Sequence, residues 1–421
     1  MSEPHSFATA QIHGGEIPDA AHGSRVTPIH LSAGFAFDDF EQARARFAGE
    51  DDGYLYSRYG NPTLAQVERR IAALEGADEA ILVGSGQAAV TVALLGLLRA
   101  GDHLLAASTV YEGTRGLLTE NFSRFGIEVD FVDDPSDLDA WRRGIRPITR
   151  ALYGEPIANP RTQLLDLAPL ADLAHGHGIP LVVDNTLGTP YLLRPIEHGA
   201  DVVIHSTSKY LTGTGSALGG AIAIASAFDP DYARFTRETI ASRLGPVLSP
   251  LNAFLLLQGL ETLALRVERH SASALELARW LETRPEVASV DYAGLASHPS
   301  HVLAERYLPR GAGGVLSFTL RGGEAAAREF VDAVRLVSRM THLGDVRTML
   351  LHPASTSHAR RSAAERAAAG IGPGLLRLAV GLEGVADLRA DLELGLRAAR
   401  PAGSARVVHF PDPSLPVAAV H

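Results

Sequence analysis

The sequence predicts an α/β protein in which a large, mostly parallel sheet is followed by a smaller α/β domain. Between residues 80 and 226, short apolar runs alternate with helical patterns, an order typical of a parallel sheet covered by helices on both faces. A second, shorter alternation follows between residues 315 and 399. The 421 residues are also enough for two or three packed units.

Four segments are predicted from these patterns. Residues 1–65, rich in Gly, Pro and polar residues with one helical patch near 41–47, are expected to form an extended arm. Residues 66–260 are expected to form the domain of the large sheet, and residues 261–400 the smaller domain. The proline-containing residues 401–421 are expected to be an irregular tail.

The elements follow from the apolar runs and the helical periodicity. The predicted strands of the first sheet are residues 80–83, 103–108, 128–132, 150–153, 180–184, 201–205 and 219–224, and the predicted helices are 87–99, 113–125 and 165–176. One long helix from Leu251 to Thr283 is expected to join the two domains, followed by a loop over residues 291–313. The smaller domain is predicted to contain strands 315–320, one near 349 and 375–380, and helices 324–336, 362–369 and 385–399.

Composition excludes several classes of function. The net charge of −10 gives no general attraction to nucleic acid or to an anionic membrane. The absence of cysteine rules out disulfides, thiolate metal sites and a cysteine nucleophile, and the histidine pairs lack metal-ligand spacing. The longest apolar helical stretch, Ala88 to Leu98, is too short to span a bilayer, and the N-terminus lacks a secretory signal. We therefore expect a cytoplasmic protein with no metal that acts on a small molecule.

Lys209 is the only lysine in the chain. Arginine stays protonated in proteins, whereas a desolvated lysine can lose its proton and add to a carbonyl. Retention of one lysine among 37 arginines therefore favours a Schiff-base lysine. The alternative is a chance survivor of compositional bias on an exposed loop, and composition alone does not decide between the two.

Three features of the sequence indicate that Lys209 lies in a cofactor site. Ser85, Gly86 and Gln87 lie between a predicted strand and a predicted helix, where free backbone N–H groups suit a phosphate, although such turns are common in α/β proteins. Asp184 ends an apolar strand at the edge where ligands bind in open sheets, although it is equally able to cap a turn. Lys209 follows the next strand, with Ser206 and Ser208 beside it. A phosphate cradle, a carboxylate for a ring nitrogen and a reactive lysine together match pyridoxal 5′-phosphate (PLP).

Two further residues are candidates for the same edge. Tyr111 follows the strand 103–108 and is able to stack on a pyridine ring, although a core tyrosine is the ordinary alternative. Arg377 lies in an apolar strand, where it either faces water at a sheet edge or clamps a substrate carboxylate.

Several motifs resemble the Cys/Met-metabolism group of fold-type I PLP enzymes from about residue 10 to residue 400. The segments that carry the resemblance are 56–63, 85–89, 153–160, 183–186 and 205–210, and those closest to the O-acetylhomoserine sulfhydrylases are 248–262, 352–358 and 374–383. Gln87 also resembles that branch, whereas other relatives more often have methionine at this position.

The resemblance implies a role for each candidate residue. Lys209 would form the Schiff base and move protons, Asp184 would keep the ring nitrogen protonated, and Tyr111 would stack on the ring. The phosphate would be bound by the Ser85 turn together with Gly86, Gln87, Ser206 and Ser208. Asn159 would hydrogen-bond near the ring oxygen, and Arg377 would bind the substrate carboxylate with His342 nearby. Tyr56 and Arg58 would reach the site of a neighbouring subunit. Active sites shared in this way imply a dimer, usually paired into a homotetramer.

Three positions depart from the family pattern. Thr214 follows Gly213 where a histidine is usual, and His342 stands where relatives have serine or asparagine. Gly113 replaces the cysteine typical of methionine γ-lyases, which argues against that activity. The resemblance thus implies γ-replacement of the acetoxy group of O-acetyl-L-homoserine by sulfide or a thiol, in methionine biosynthesis or transsulfuration.

The alternatives are other reactions on the same scaffold and a protein without catalysis. The first group comprises γ-elimination, cystathionine synthesis, use of O-succinylhomoserine, and γ-substitution by another nucleophile in specialised metabolism. The second is a cofactor-free interaction scaffold, which the intact set of Lys209, Asp184 and the two serines disfavours.

Overall fold

A computed structural model describes residues 5–400. The tail predicted at 401–421 lies outside the described residues. The N-terminal segment contains helices α1 (Phe7–His13), α2 (Phe40–Ala48) and α3 (Pro62–Glu75). The sequence predicted only α2 in this segment. It missed α1, which is short, and α3, which spans the predicted boundary between the arm and the first domain.

Polar side chains at the start of α3 and within it form hydrogen bonds to the backbone of the arm. Asn61 caps α3 by accepting a bond from the Thr63 N–H, and its amide donates to the His30 carbonyl at 2.9 Å. The Thr63 hydroxyl donates to the Pro28 carbonyl at 2.9 Å. Gln66 joins two backbone groups at residues 15 and 17 in the same way. The arm is therefore fastened to α3 near residues 15–17 and 28–30, whereas most of residues 18–50 are exposed.

A seven-stranded sheet forms the centre of the region that follows. Its strands are β1 (Glu79–Val83), β2 (His103–Ala107), β3 (Glu128–Val132), β4 (Thr149–Gly154), β5 (Leu181–Asp184), β6 (Val202–His205) and β7 (Gly220–Ile224), in the order β1-β7-β6-β5-β4-β2-β3. Only β7 runs against its neighbours in this sheet of the described chain. The predicted strands and the mostly parallel arrangement are confirmed.

Helices connect these strands and cover the sheet. They are α4 (Gly86–Leu95), α5 (Glu112–Gly116), α6 (Leu138–Gly144), α7 (Leu167–Gly176), α8 (Thr189–Leu192), α9 (Pro230–Phe235) and α10 (Ser242–Leu244). A π-helical turn and a 3-10 turn extend α5 to Phe125, so the helix predicted at 113–125 is irregular in its second half. Because six strands share one direction, the loops after β1, β2, β4, β5 and β6 meet at one edge of the sheet.

The long helix predicted from Leu251 to Thr283 is in fact two helices. They are α11 (Pro250–Leu260) and α12 (Leu263–Glu282), separated by Glu261 and Thr262. Thr262 has φ −121° and ψ 12°, outside the helical region, and its hydroxyl accepts a hydrogen bond from the Arg266 side chain. The apolar periodicity continues through the break, which is why the sequence did not show it.

The second sheet of the described chain has five strands. It contains β8 (Val287–Asp291), β9 (Val315–Leu320), β10 (Ser338–Arg339), β11 (Met349–Leu351) and β12 (Leu375–Ala379), in the order β10-β11-β12-β9-β8, with helices α13 (His301–Tyr307), α14 (Gly323–Ala333), α15 (Ala363–Ala368) and α16 (Val385–Ala398). The sequence missed β8 and α13 because both are short and polar on their exposed side.

The smaller α/β unit is thus present, and its sheet is mostly antiparallel. The domain boundaries at residues 65, 260 and 400 stay predictions, although each sheet falls within one predicted segment. No helix within residues 5–400 is long and apolar enough to cross a membrane.

Candidate active site

The shared edge of the first sheet gathers the predicted site residues. Ser85 and Gly86 follow β1, Tyr111 follows β2, Asp184 ends β5, and Lys209 lies four residues after β6. These strands are buried along nearly their whole length, so the polar residues that follow them are the first groups on this edge that are able to meet a ligand.

Lys209 lies largely buried at the centre of this group. Its amine is 2.9 Å from Nδ1 of His342, which comes from the second part of the chain. Burial, and then the positive charge of Arg377, lower the pKa of Lys209 from 10.5 to about 8. A larger fraction of the amine is therefore uncharged at neutral pH than in an exposed lysine, as addition to a carbonyl requires.

Asp184 offers a partly buried carboxylate with no cationic partner among the described residues. One of its oxygens accepts hydrogen bonds from the Thr186 N–H at 3.0 Å and the Thr186 hydroxyl at 2.5 Å. Among the described residues, no Lys or Arg lies within ion-pair distance of it. Burial raises the pKa of Asp184, an effect that the Thr186 bonds only partly oppose. A positively charged ring nitrogen would compensate the desolvated carboxylate.

The start of α4 forms a cradle with the loop after β6. The Ser85 hydroxyl caps the helix by accepting a bond from the Ala88 N–H at 3.1 Å. A Cβ at Gly86 would lie 2.6 Å from the Cβ of Ser206, so only glycine allows this close approach. The Gln87 amide donates to the Thr114 hydroxyl at 3.1 Å. Free N–H groups, the helix dipole and a serine hydroxyl thus face one small space suited to a phosphate.

Of three residues predicted to bind the phosphate, two make other hydrogen bonds in this chain and the third is half-exposed. The Ser208 hydroxyl donates to the Gly219 carbonyl at 3.2 Å and accepts from the Gly219 N–H at 3.0 Å. Arg58 donates to the Ser242 carbonyl at 2.9 Å and stacks on Tyr59, while Tyr56 is half-exposed. The phosphate roles of Ser208, Tyr56 and Arg58 therefore stay predictions.

Tyr111 is positioned by a buried carboxylate that the sequence analysis did not single out. Glu155, which follows β4, accepts a hydrogen bond from the Tyr111 N–H at 2.5 Å at the start of α5. Burial and the nearby Asp184 charge raise the pKa of Glu155 well above its ordinary value. A carboxylate directly after an apolar strand was the signal used for Asp184, and the same signal would have found Glu155. The Tyr111 ring itself is half-exposed and free to stack on a ligand.

Arg377 in β12 brings a cation from the second sheet to the same site. It is only 4% exposed, donates to the carbonyls of Thr341 and His342 at 3.2 and 3.0 Å, and contacts the Asn159 amide oxygen at 3.4 Å. Its Nε has no partner within the described chain. A buried guanidinium with an unpartnered N–H suits a carboxylate, which supports the clamp and excludes the water-facing alternative.

The site fits PLP on its own geometry. The three attachments that this cofactor needs are present: a lysine with a lowered pKa, a partly buried carboxylate without a cation among the described residues, and a glycine-dependent cradle at a helix start. Thr186 joins two of them, because its hydroxyl bonds to Asp184 and accepts from the Ser206 N–H at 2.8 Å. Sequence reasoning missed Thr186, since a threonine after a strand carries no distinct signal.

Comparison with known proteins agrees with this geometry. Residues 8–397 match the family model described as Cys/Met metabolism PLP-dependent enzyme. The O-succinylhomoserine sulfhydrylase of Pseudomonas aeruginosa is 46% identical over 93% of this chain and 96% of its own length. The O-acetyl-L-homoserine sulfhydrylase of Corynebacterium glutamicum is 39% identical over 93% and 97%.

A solved structure is also similar over almost the whole fold. It is a putative O-acetylhomoserine (thiol)-lyase from Campylobacter jejuni that carries an N′-pyridoxyl-lysine-5′-monophosphate at its position 205. The TM-score is 0.91 and the identity 35%, with 93% of this chain and all of that chain covered. The predicted fold type, the cofactor and the enzymatic nature of the chain are confirmed by these matches.

Proposed function

The chain belongs to the Cys/Met metabolism family of PLP-dependent enzymes, and from that premise we propose that it catalyses γ-replacement on an activated homoserine ester. The substrate is O-acetyl-L-homoserine, the nucleophile is sulfide or a thiol, and the products are homocysteine or an analogue and acetate. The observation that carries the proposal is Arg377, a buried cation with an unpartnered N–H beside Lys209, where an amino-acid carboxylate would be held.

The residues of the chain divide the work of this reaction. PLP, when bound, supplies the carbonyl that takes up the substrate amine and the ring that accepts electrons from the substrate. Lys209 would anchor the cofactor, and the same amine would take protons from the substrate carbons and return them. Asp184 would favour a protonated ring nitrogen, Tyr111 would stack on the ring, and Arg377 would hold the substrate so that its Cα and Cβ protons lie near Lys209.

The phosphate is assigned to the cradle of Ser85, Gly86, Gln87 and Ser206, and Ser208 is proposed to join it when its hydroxyl turns from Gly219. Asn159 would bind near the ring oxygen, since its amide already lies at Arg377. With no cysteine in the chain, the external thiol is the sulfur nucleophile.

The acyl group is a second question, because the O-succinylhomoserine sulfhydrylase from Pseudomonas aeruginosa is the more similar of the two curated relatives named above. The purified holoenzyme should be given O-acetyl- and O-succinyl-L-homoserine in turn, each with sulfide, methanethiol or cysteine, and without a nucleophile. We expect homocysteine from the acetyl ester with sulfide. Production of 2-oxobutanoate as the main product, with or without sulfide, would instead assign γ-elimination.

The assembly belongs to the same proposal. We place the protein in the cytoplasm as a homotetramer in which Tyr56 and Arg58 reach the phosphate of a neighbouring subunit; Tyr56 would also border the substrate. Mixing inactive Arg58→Ala and inactive Lys209→Ala chains should restore activity, because some hybrid dimers then hold one intact site. No recovery after verified subunit exchange would contradict shared sites.

A further inference from the structure

His342 is held against the lysine loop by a tightly packed turn. Gly344 has φ +72°, and a Cβ there would lie 2.5 Å from the Tyr210 backbone nitrogen, so the turn requires glycine to approach this closely. The Val346 N–H donates to the Gly213 carbonyl at 2.9 Å. The turn that carries His342 is therefore docked on the segment that carries Lys209.

Arg377 fixes the other side of this turn. Its guanidinium donates to the backbone carbonyls of Thr341 and His342. Leu343 is buried, and Asp345 accepts a bond from the Arg347 N–H at 2.9 Å. The backbone on both sides of His342 is thus fixed, and the position of its ring beside the Lys209 amine follows from the fold.

The direction of the bond between the two side chains can be assigned. A protonated lysine has only donors, so Nδ1 of His342 accepts from the Lys209 amine and the imidazole proton lies on Nε2. The charged groups that face His342 are Lys209, Asp345 and Arg377. Burial and the Lys209 charge lower the pKa of His342 to about 4, against a smaller opposing effect of Asp345, so the ring is neutral at physiological pH.

We propose that His342 is a catalytic hydrogen-bond acceptor that holds the free amine of Lys209 in its protonated form after the substrate has displaced it from the cofactor. Each proton that leaves a substrate carbon forms the third N–H bond of Lys209, and that bond breaks when the proton is returned. His342 neither gains nor loses a proton. The inference deepens the proposed function, because it concerns the group that carries protons in that reaction.

The physical need for such an acceptor comes from the surroundings of Lys209. An ammonium group in this position is disfavoured both by burial and by Arg377. A charge-assisted bond to a neutral imidazole offsets part of that cost, and it directs the amine toward one place. Without the acceptor, uptake of a substrate proton by Lys209 is less favourable and proton transfer is slower.

The single lysine makes a direct measurement possible. Reductive methylation of the full-length, cofactor-free chain with ¹³C-formaldehyde labels only Lys209 and the N-terminal amine, and the chemical shift of each reports its pKa. We expect His342→Leu to lower the pKa of Lys209 by about one unit. His342→Asn, which keeps an acceptor near the position of Nδ1, should recover most of that shift. An unchanged pKa in His342→Leu would overturn the proposal.

A second measurement uses the holoenzyme and needs no activated ester. L-Norvaline has no leaving group, so exchange of its Cα proton in D₂O, followed by NMR, reports proton transfer at Lys209 alone. We expect about tenfold slower exchange in His342→Leu and a smaller loss in His342→Asn, with the cofactor absorbance retained in both. The exposed His177→Asn serves as control and should match the unsubstituted enzyme.

The two proposals can fail separately. Equal exchange rates in His342→Leu and in the unsubstituted holoenzyme would remove His342 from proton transfer while leaving γ-replacement untested by that result. Slow exchange in His342→Leu combined with no turnover of any homoserine ester would keep the role of His342 and reject the proposed substrate class. Loss of folding in His342→Leu is recognised by loss of bound cofactor, and His342→Asn then carries the test.

Discussion

The two halves of the site are built differently. The proposed cofactor half, with Ser85, Asp184 and Lys209, comes from the ends of β1, β5 and β6 in one mostly parallel sheet, at or just after a buried strand. The substrate half, with Arg377 and His342, comes from the second sheet and from a turn packed onto the lysine loop. The residues proposed to hold the cofactor thus follow a repeated strand-and-loop pattern, whereas Arg377 and His342 come from elements that only the folded chain brings near Lys209.

Lys209→Ala should produce the largest effect, because it removes both the anchor and the proton carrier of the cofactor half. Turnover is expected to fall by about 10³-fold or more, and the visible absorbance of the bound cofactor should change to that of an unanchored aldehyde. Lys209→Arg is the matched control for charge, and it should be equally inactive because guanidinium keeps its proton. Substantial activity in either variant would refute the assignment of Lys209.

Asp184→Asn should rank second, since it keeps shape and hydrogen bonds but removes the negative charge that favours a protonated ring nitrogen. We expect the cofactor to remain bound and kcat to fall by about 10²- to 10³-fold. Exchange of the substrate Cα proton should fall in parallel. An undiminished exchange rate would show that the electron-accepting character of the cofactor does not depend on Asp184.

Arg377→Met tests the substrate half with little change in side-chain length. Loss of the carboxylate clamp should lower kcat/KM by about 10²-fold, mainly through KM, with the cofactor spectrum kept. Arg321→Met, an exposed arginine in the same part of the chain, is the control. A fall in kcat without a rise in KM would instead place Arg377 in cofactor chemistry and remove the division between the halves.

Gly113→Ala should have a smaller effect at the junction of the two halves. A Cβ at residue 113 would lie 2.5 Å from Cε1 of Tyr111, so the ring must shift away from its present place. We expect about a tenfold loss of kcat. Gly116→Ala in the same helix is a matched control, because a Cβ there has open space around it. Equal behaviour of the two variants would show that the Tyr111 ring position is not important.

The smallest effect concerns the electrostatic link between the halves. In the cofactor-free chain, the pKa of Lys209 is lowered to about 8 by burial first and by Arg377 second. Removal of a nearby positive charge stabilises the ammonium, so Arg377→Met should raise that pKa, by less than about one unit. Labelling of Lys209 by an amine reagent should then require higher pH. A fall in the pKa would contradict the assigned cause.

Much of the proposed cofactor half could be predicted from the sequence, because each of its residues lies at the end of a strand, or within four residues after it, and the apolar run of that strand is recognisable. Asp184 and Lys209 were placed at one sheet edge by this pattern, and Glu155 would have been found by the same rule. Thr186 could not be found in this way, because its role depends on reaching both Asp184 and the Ser206 N–H from the next strand.

The substrate half shows the limit of local patterns. An arginine in an apolar strand fitted either a clamp or a water-facing edge, and only the burial of Arg377 and its bonds to the 341–342 backbone excluded the second; the clamp stays a prediction. His342 was expected near the carboxylate site; its carbonyl does accept a bond from Arg377, but only the fold shows that its ring lies 2.9 Å from the lysine amine. The break between α11 and α12 was hidden for a related reason, since it interrupts the backbone but not the apolar periodicity.

The sequence by itself determined the mostly parallel sheet, the family resemblance and PLP as the cofactor, and it predicted Lys209 as the anchor of that cofactor. Apolar residues recur with different periods in strands and in helices, so both kinds of element can be recognised in the sequence. The residues that follow parallel strands lie at the same edge of the sheet, so their proximity can also be predicted. The tertiary structure alone decided which groups surround that lysine. Contacts between segments about 130 residues apart along the chain, such as Lys209 with His342, depend on how two sheets pack, and no local pattern encodes that packing.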